Sequence, residues 1–194
     1  LNDKSYTTLF IDGNHECFER LYSYPVKEWH GGKVHEVRPN VLHLMRGEIF
    51  DINGLSFFVF GGARSHDIQG GVLEPDAPHL KERMKRLDRD WISYRINHRT
   101  WWKEEMPNGA EMQYGLNKLA ERNNKVDFVL THDCPASTLA LFSHGCYKPD
   151  ELNKYLEEVR ANTEYKKWFF GHYHDNMNIN VQDIMVYEQI IQIQ

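Results

Sequence analysis

Three short apolar runs in this chain stop abruptly at clusters of glycine, histidine, amide and carboxylate groups, and this arrangement constrains the fold most. Thr7 to Ile11 leads into Asp12-Gly13-Asn14-His15-Glu16, and Val126 to Leu130 leads into Thr131-His132-Asp133. Trp168 to Phe170 leads into Gly171-His172-Tyr173-His174. Short runs rich in β-branched and aromatic residues read as buried strands. Loops beyond strand ends are where rigid scaffolds commonly hold reactive groups. Glycine in such a loop lets the backbone turn sharply and approach an ion closely.

The remaining segments fit around these strands. Glu16 to Tyr24 reads as a short helix stopped by Pro25. Val34–Val37, Val41–Met45, Glu48–Ile52 and Leu55–Phe60 read as a meander, with Asn53-Gly54 as a hairpin turn because both residues tolerate positive φ. Leu80 to Arg89 and Asp90 to His98 read as helical, and Trp101-Trp102 as a packed loop. A helix is expected over Ala110 to Arg122, burying Met112, Leu116 and Leu119. Asp150 should cap another through Arg160, with Leu152, Tyr155, Leu156 and Val159 as its buried stripe. Ile179–Val181, Ile184–Tyr187 and Gln189–Ile193 alternate like closing antiparallel strands. Strands alternating with helices, plus hairpins, predict a mixed α/β fold with helices flanking packed sheets.

Composition narrows the partners. With 194 residues and 41% hydrophobic content, the chain can bury the core of one domain. The net charge of -5 and the lack of basic runs argue against a broad nucleic-acid-binding face. A local phosphate site remains compatible, because bound cations would supply the positive field. No apolar stretch approaches the ~20 residues that span a bilayer, so no membrane partner is expected. Cys17, Cys134 and Cys146 are too scattered for a disulfide framework, and they fit reduced thiols in the cytoplasm.

Read as chemistry, the three strand-end clusters point to metal binding. If extended, the segment after Gly171 projects His172 and His174 to the same side. Imidazole nitrogen with amide oxygen suits Mn, Fe or Zn better than Ca. Taken alone, each cluster has an ordinary explanation: a turn asparagine beside a hydrogen-bonded histidine, or an aspartate capping the segment after it. Three strand-end sites with complementary ligands make a joint case that none makes singly.

Gly13-Asn14-His15-Glu16, His132 after an apolar strand, and Gly171-His172-Tyr173-His174 resemble, in order and spacing, the last three signature motifs of calcineurin-like metallophosphoesterases. The resemblance runs from Leu9 to the final strands. It implies a β-sandwich flanked by helices, with a pair of divalent metal ions at one end. By that resemblance Asn14, His132 and His172 are ligands of one metal and His174 of the other. His15 then faces the substrate, steadying phosphoryl oxygens or protonating the leaving alkoxide, and Glu16 orients its neighbours. The family opens with Asp-x-His and Gly-Asp-x-x-Asp motifs that Asp3 and Asp12 do not match, and no initiator methionine is present. The expectation is therefore a single metallophosphoesterase domain over 1–194, truncated at its N-terminus and lacking its first strands. Such a chain should hold at most one ion tightly, should hydrolyse weakly or not at all until the N-terminal segment is restored, and should leave an open sheet edge.

The implied activity is hydrolysis of a phosphate ester, by a phosphatase or phosphodiesterase using two ions in the intact protein. Two alternatives stand beside it: a serine/threonine phosphoprotein phosphatase, which shares Gly-Asn-His-Glu, and a non-catalytic interaction module of the same fold. Arg64 and His66, after Gly61-Gly62, are candidate substrate contacts or ordinary loop residues. Oligomeric state is left open.

Overall fold

The computed structural model describes residues 1–193. The chain begins with β1 (Thr8–Phe10), α1 (Phe18–Tyr22), β2 (Val26–Trp29), β3 (Gly32–Arg38), β4 (Val41–Leu44), β5 (Ile49–Ile52) and β6 (Leu55–Phe60). An excursion comes next, with β7 (Val72–Leu73), α2 (Leu80–Arg89), β8 (Arg95–Ile96) and a 3-10 turn at Lys103–Glu105. Then come α3 (Gly109–Glu121), β9 (Phe128–Thr131), α4 (Ala136–Phe142), α5 (Glu151–Asn162), β10 (Lys167–Phe170), β11 (Met177–Asn178) and β12 (Asp183–Met185). The fold is thus mixed α/β.

Two larger sheets organise it. One has the order β1-β4-β3-β2, with β1 parallel to β4 and the rest an antiparallel meander. The other has the order β11-β12-β10-β9-β6-β5, and its centre is parallel. The β5–β6 hairpin turns at Asn53 and Gly54, whose φ values of 52° and 80° are the positive pair that this dipeptide tolerates.

Pleating sorts side chains between two cores. Phe58, Phe60, Val129, Trp168 and Phe170 point one way and meet Leu119 of α3 and Leu152, Leu156 and Val159 of α5. Phe50 and Val59 point the other way and meet Val34, Leu42 and Leu44 of the first sheet. The sheets therefore face each other, and helices cover the outer side of the second. Each fully buried Leu or Val of α5 stabilises the packing by about 1.5–3 kcal/mol. Capping boxes start α3 at Asn108 with Glu111, and α5 at Asp150 with Asn153. Asn153 also donates to the Cys134 carbonyl at 2.9 Å, tying α5 to the loop after β9.

Several local expectations are corrected. The helix expected over Asp90 to His98 does not form, because α2 ends at Arg89, Trp91 takes a left-handed φ of 55°, and β8 comes after it. In the tail, β12 runs parallel to β10 and only β11 is antiparallel to it, with no strand over residues 189–193. The strand β2 and helix α4 were not anticipated. Among the described residues no helix is long and apolar enough to cross a membrane, and all three cysteines are unpaired.

Candidate functional site

The loop after β1 is pinned from behind. Asp12 is fully buried, accepting from His43 Nε2 at 3.0 Å and from Arg46 Nε at 2.9 Å and Nη2 at 2.5 Å. Burial pushes its carboxyl up, but the Arg46 charge and the hydrogen bonds outweigh this and hold the pKa below its ordinary value. The Gly62 amide donates to the Asp12 carbonyl at 2.9 Å. A Cβ on the neighbouring Gly61 would lie 2.7 Å from that same carbonyl, so the approach of the two loops requires glycine there.

Asn14, next along, is 6% exposed, and its amide is oriented by its partners. Its Nδ2 donates to Ser65 Oγ at 3.2 Å, and Ser65 Oγ donates to Glu105 Oε2 at 2.6 Å. Ser65 N donates to the other Glu105 oxygen at 2.9 Å, so the buried carboxylate holds Ser65 from two sides. Asn14 Oδ1 is thereby turned toward His132 Nε2, 3.3 Å away. The orienting carboxylate is Glu105, not Glu16. Glu16 lines the cavity, and no hydrogen bond joins it to Asn14 or the histidines.

His132 lies just past β9 and packs against Gly13, where a Cβ would sit 3.1 Å from the imidazole. Gly171 N donates to the His132 carbonyl at 3.1 Å, joining the second and third loops. The third loop is not extended, contrary to expectation. His172 and His174 have φ values of 69° and 53°, and Tyr173 N donates to Gly171 O at 2.8 Å across a three-residue turn. Such turns are strained, and strained backbone gathers at functional sites. Even so, His172 comes to 5.2 Å from His132 between ring centroids, and its Nε2 is buried without a hydrogen-bond partner. His174 stacks on Tyr187 at 5.0 Å.

Asn14, His15, His132, His172 and His174 all line one cavity of about 410 Å³, so the structure brings these five motif residues together. His66 also lines it, 4.9 Å from the His172 ring, whereas Arg64 turns away to Asp150 and Glu151 at 3.1 and 2.9 Å. His15 sits exposed at the rim, its Nε2 3.2 Å from Asn14 Nδ2 and 3.5 Å from Arg95 Nη2. Both neighbours are donors, so this nitrogen accepts and the ring proton belongs on Nδ1. Arg95 also pairs with Asp67 through Nε at 3.1 Å and through Nη2.

Burial lowers the His132 pKa to about 4 and the His172 pKa to about 3, with neighbouring histidines adding to the second shift. Both rings are therefore neutral near pH 7, the form that coordinates metal. Two donors on one ion at about 2.1 Å each stand roughly 3.0–3.4 Å apart, so the 3.3 Å between Asn14 Oδ1 and His132 Nε2 suits a shared ion. The unpartnered His172 nitrogen is a third candidate donor. Among the described residues no three His, Cys, Asp or Glu side chains form a metal-holding group by themselves. The candidate donors here are two imidazoles and one amide oxygen, and the Asn14–His132 spacing is the one that suits a shared ion.

Asp133 lies just behind. Its Oδ1 accepts from Tyr173 OH at 2.6 Å and Cys134 N at 2.7 Å, while burial raises its pKa to about 6. Ser65, Glu105, Arg95 and Asp67 were not found from sequence, since nothing local marks a partner dozens of residues away. No family model, curated protein or solved structure matches the chain.

Proposed function

We propose that this chain is a metal-dependent phosphoester hydrolase of the calcineurin-like metallophosphoesterase type, with Asn14, His132 and His172 holding one divalent ion. The observation that carries the reading is that Asn14, His132 and His172 line one cavity, with Asn14 Oδ1 3.3 Å from His132 Nε2 and the buried His172 Nε2 left without a hydrogen-bond partner. The two facing sheets with helices outside also agree with that family's β-sandwich. The oxygen and nitrogen donors favour Mn, Fe or Zn. His174, on the same cavity, would serve a second ion.

Such an ion supplies polarisation of a phosphoryl oxygen and a lowered pKa for water. The rest is done by the chain's own groups. Ser65 and Glu105 keep the Asn14 oxygen facing the cavity. The low basicity of His132 and His172 leaves each ring one unprotonated nitrogen at neutral pH, and the His132 proton would leave Nε2 as an ion bound there. His15 would present Nδ1–H to a phosphoryl oxygen or the departing alkoxide, because its Nε2 already accepts from Asn14 and faces Arg95. Arg95 adds a cation at the rim for the phosphate.

Calorimetric titration with Mn²⁺ tests the reading without relying on turnover. The wild-type chain should bind, and Asn14→Ala and His172→Ala should each weaken affinity by about tenfold or more. His15→Ala should leave Mn²⁺ affinity in place while aryl phosphate hydrolysis falls by roughly 10²–10⁴-fold. Equal Mn²⁺ affinity in the wild type, Asn14→Ala and His172→Ala would end the proposal.

A further inference from the structure

The excursion between β6 and α3 builds a second concavity against the first. Its β7 and β8 pair in parallel, with α2 as the crossover. The result is an open groove of about 660 Å³, lined by Asp67, Asp88, Trp91, Tyr94, Arg95 and Thr100. That volume is in the range of small-molecule sites. Asp67 lines both this groove and the candidate metal cavity. Arg95, held by Asp67 and 3.5 Å from His15, stands where they meet. The two concavities are neighbours sharing one ion pair as their common wall.

Trp91 is the residue that local structure does not explain. It is 94% exposed, although its indole is the largest apolar side chain available. Its backbone occupies the left-handed position after α2, with φ 55°. Trp91 N donates to Asp88 O at 3.2 Å and Ile92 N to Leu87 O at 3.0 Å, the paired bonds of a Schellman ending. Glycine or asparagine ordinarily fills that position, because a bulky residue there is strained. Neither helix termination nor burial is served by tryptophan, yet Trp91 is one of the residues that line the groove, as is Arg95.

We propose that this groove receives the organic part of the phosphate ester, and that this part is a nucleoside whose base stacks on Trp91. The placement rests on the hydrolase reading above, since it is the metal cavity that fixes where the phosphate would lie. A planar base has the π-face that an exposed indole binds irrespective of sequence. The Asp67 and Asp88 carboxylates are acceptors for ribose hydroxyls or base amines. Arg95 lies between the two regions, where a 5′- or 3′-phosphate joins its sugar. A small alkyl phosphate would use the metal cavity and leave the groove untouched.

The test separates groove from catalysis. Adenosine, which has no phosphate, should quench tryptophan fluorescence of the whole chain without added metal, and AMP should do so more strongly. Calorimetry with AMP should show binding weakened roughly 5–150-fold in Trp91→Gly, the range expected for one base–aromatic stack, and largely kept in Trp91→Phe. Glycine suits the left-handed position, so a loss in that variant is not unfolding. In Mn²⁺-supported turnover, Trp91→Gly should raise KM for AMP by a similar factor and leave glycerol phosphate unchanged. Adenosine binding by a chain that neither binds Mn²⁺ nor turns over any phosphate ester would uphold the groove and sink the hydrolase reading. No response to adenosine or AMP, or a response to phenyl phosphate alone, overturns the nucleoside assignment. So does a Trp91→Gly effect of equal size on AMP and glycerol phosphate.

Discussion

Replacing Asp12 by Asn keeps the side chain's volume and removes its charge, which isolates the electrostatic role of the buried pair behind Asn14. Asp12 is completely buried and the Arg46 side chain is 4% exposed, so neither group has water to fall back on. The variant would leave Arg46 with the Glu104 carbonyl at 2.8 Å and with Glu111 as its remaining carboxylate, whose Oε1 is 3.5 Å away and whose side chain is 31% exposed. The new amide would also point donor hydrogens at His43 Nε2 or Arg46, where the carboxylate accepted from both. Breaking a buried pair by removing one partner costs about 3–5 kcal/mol, and the residual attraction of Glu111 favours the lower end. At roughly 2.1 cal/mol/K per residue over 194 residues, a 3–4 kcal/mol loss lowers Tm by about 7–10 °C. Urea unfolding at pH 7, followed through the fully buried Trp168, measures this directly. The Asp12 carboxyl is held below its ordinary pKa, so its contribution is present above the unfolded value, about 3.9, and is lost as pH falls through the folded one. Wild type and variant should therefore converge only in acid. Asp12→Asn/Arg46→Met removes both charges and should recover part of the loss. A single-variant loss under about 1 kcal/mol, or a double variant less stable than the single, would refute the reasoning.

The same contacts set further expectations. Gly61→Ala should cost about 2–4 kcal/mol in urea unfolding, because its Cβ would lie 2.7 Å from the Asp12 carbonyl and still closer to that side chain. Gly13→Ala should weaken Mn²⁺ affinity by about tenfold with a smaller loss of stability, since its Cβ would displace the His132 ring from 3.1 Å; unchanged affinity would show that the ring is not held there. Asp133 has a folded pKa of about 6, above its unfolded value, so it binds protons more readily when folded, and stability falls as pH rises from about 4 to 6. Both its donors reach Oδ1, which asparagine keeps, so Asp133→Asn should abolish that fall and be more stable by on the order of 2 kcal/mol above pH 6. Parallel stability profiles for the two proteins from pH 4 to 7 would contradict it.

What was legible in the sequence was local. The strand-end runs, the Asn53-Gly54 hairpin and the Asp150 cap with its Leu152–Leu156–Val159 stripe depend on neighbours a few positions apart, and periodicity records them. The same locality misled in places. Residues 90–98 carry a diluted helical pattern, but Trp91 closes α2 in a left-handed turn and Arg95 is drawn into pairing with Val72. Val26–Trp29 forms β2 as an edge strand, so only one face and one neighbour select for it, and its pattern is faint. Within the site, the five residues named from motifs line one cavity, whereas their supports could not be seen. Ser65–Glu105, Asp12–Arg46 and Asp67–Arg95 are contacts between distant segments, each between residue types that are common on any surface.

Asn14 hangs from β1 in one sheet, whereas His132 and His172 hang from β9 and β10 in the other. An ion held by all three would act as a rivet through two layers otherwise joined by apolar contact and by scattered hydrogen bonds such as Gly62 N to Asp12 O. Its binding energy would then resist shear between them, adding about 2.7 kcal/mol at a hundredfold excess over Kd. Metal supply would set the mechanical coherence of the sandwich along with its chemistry.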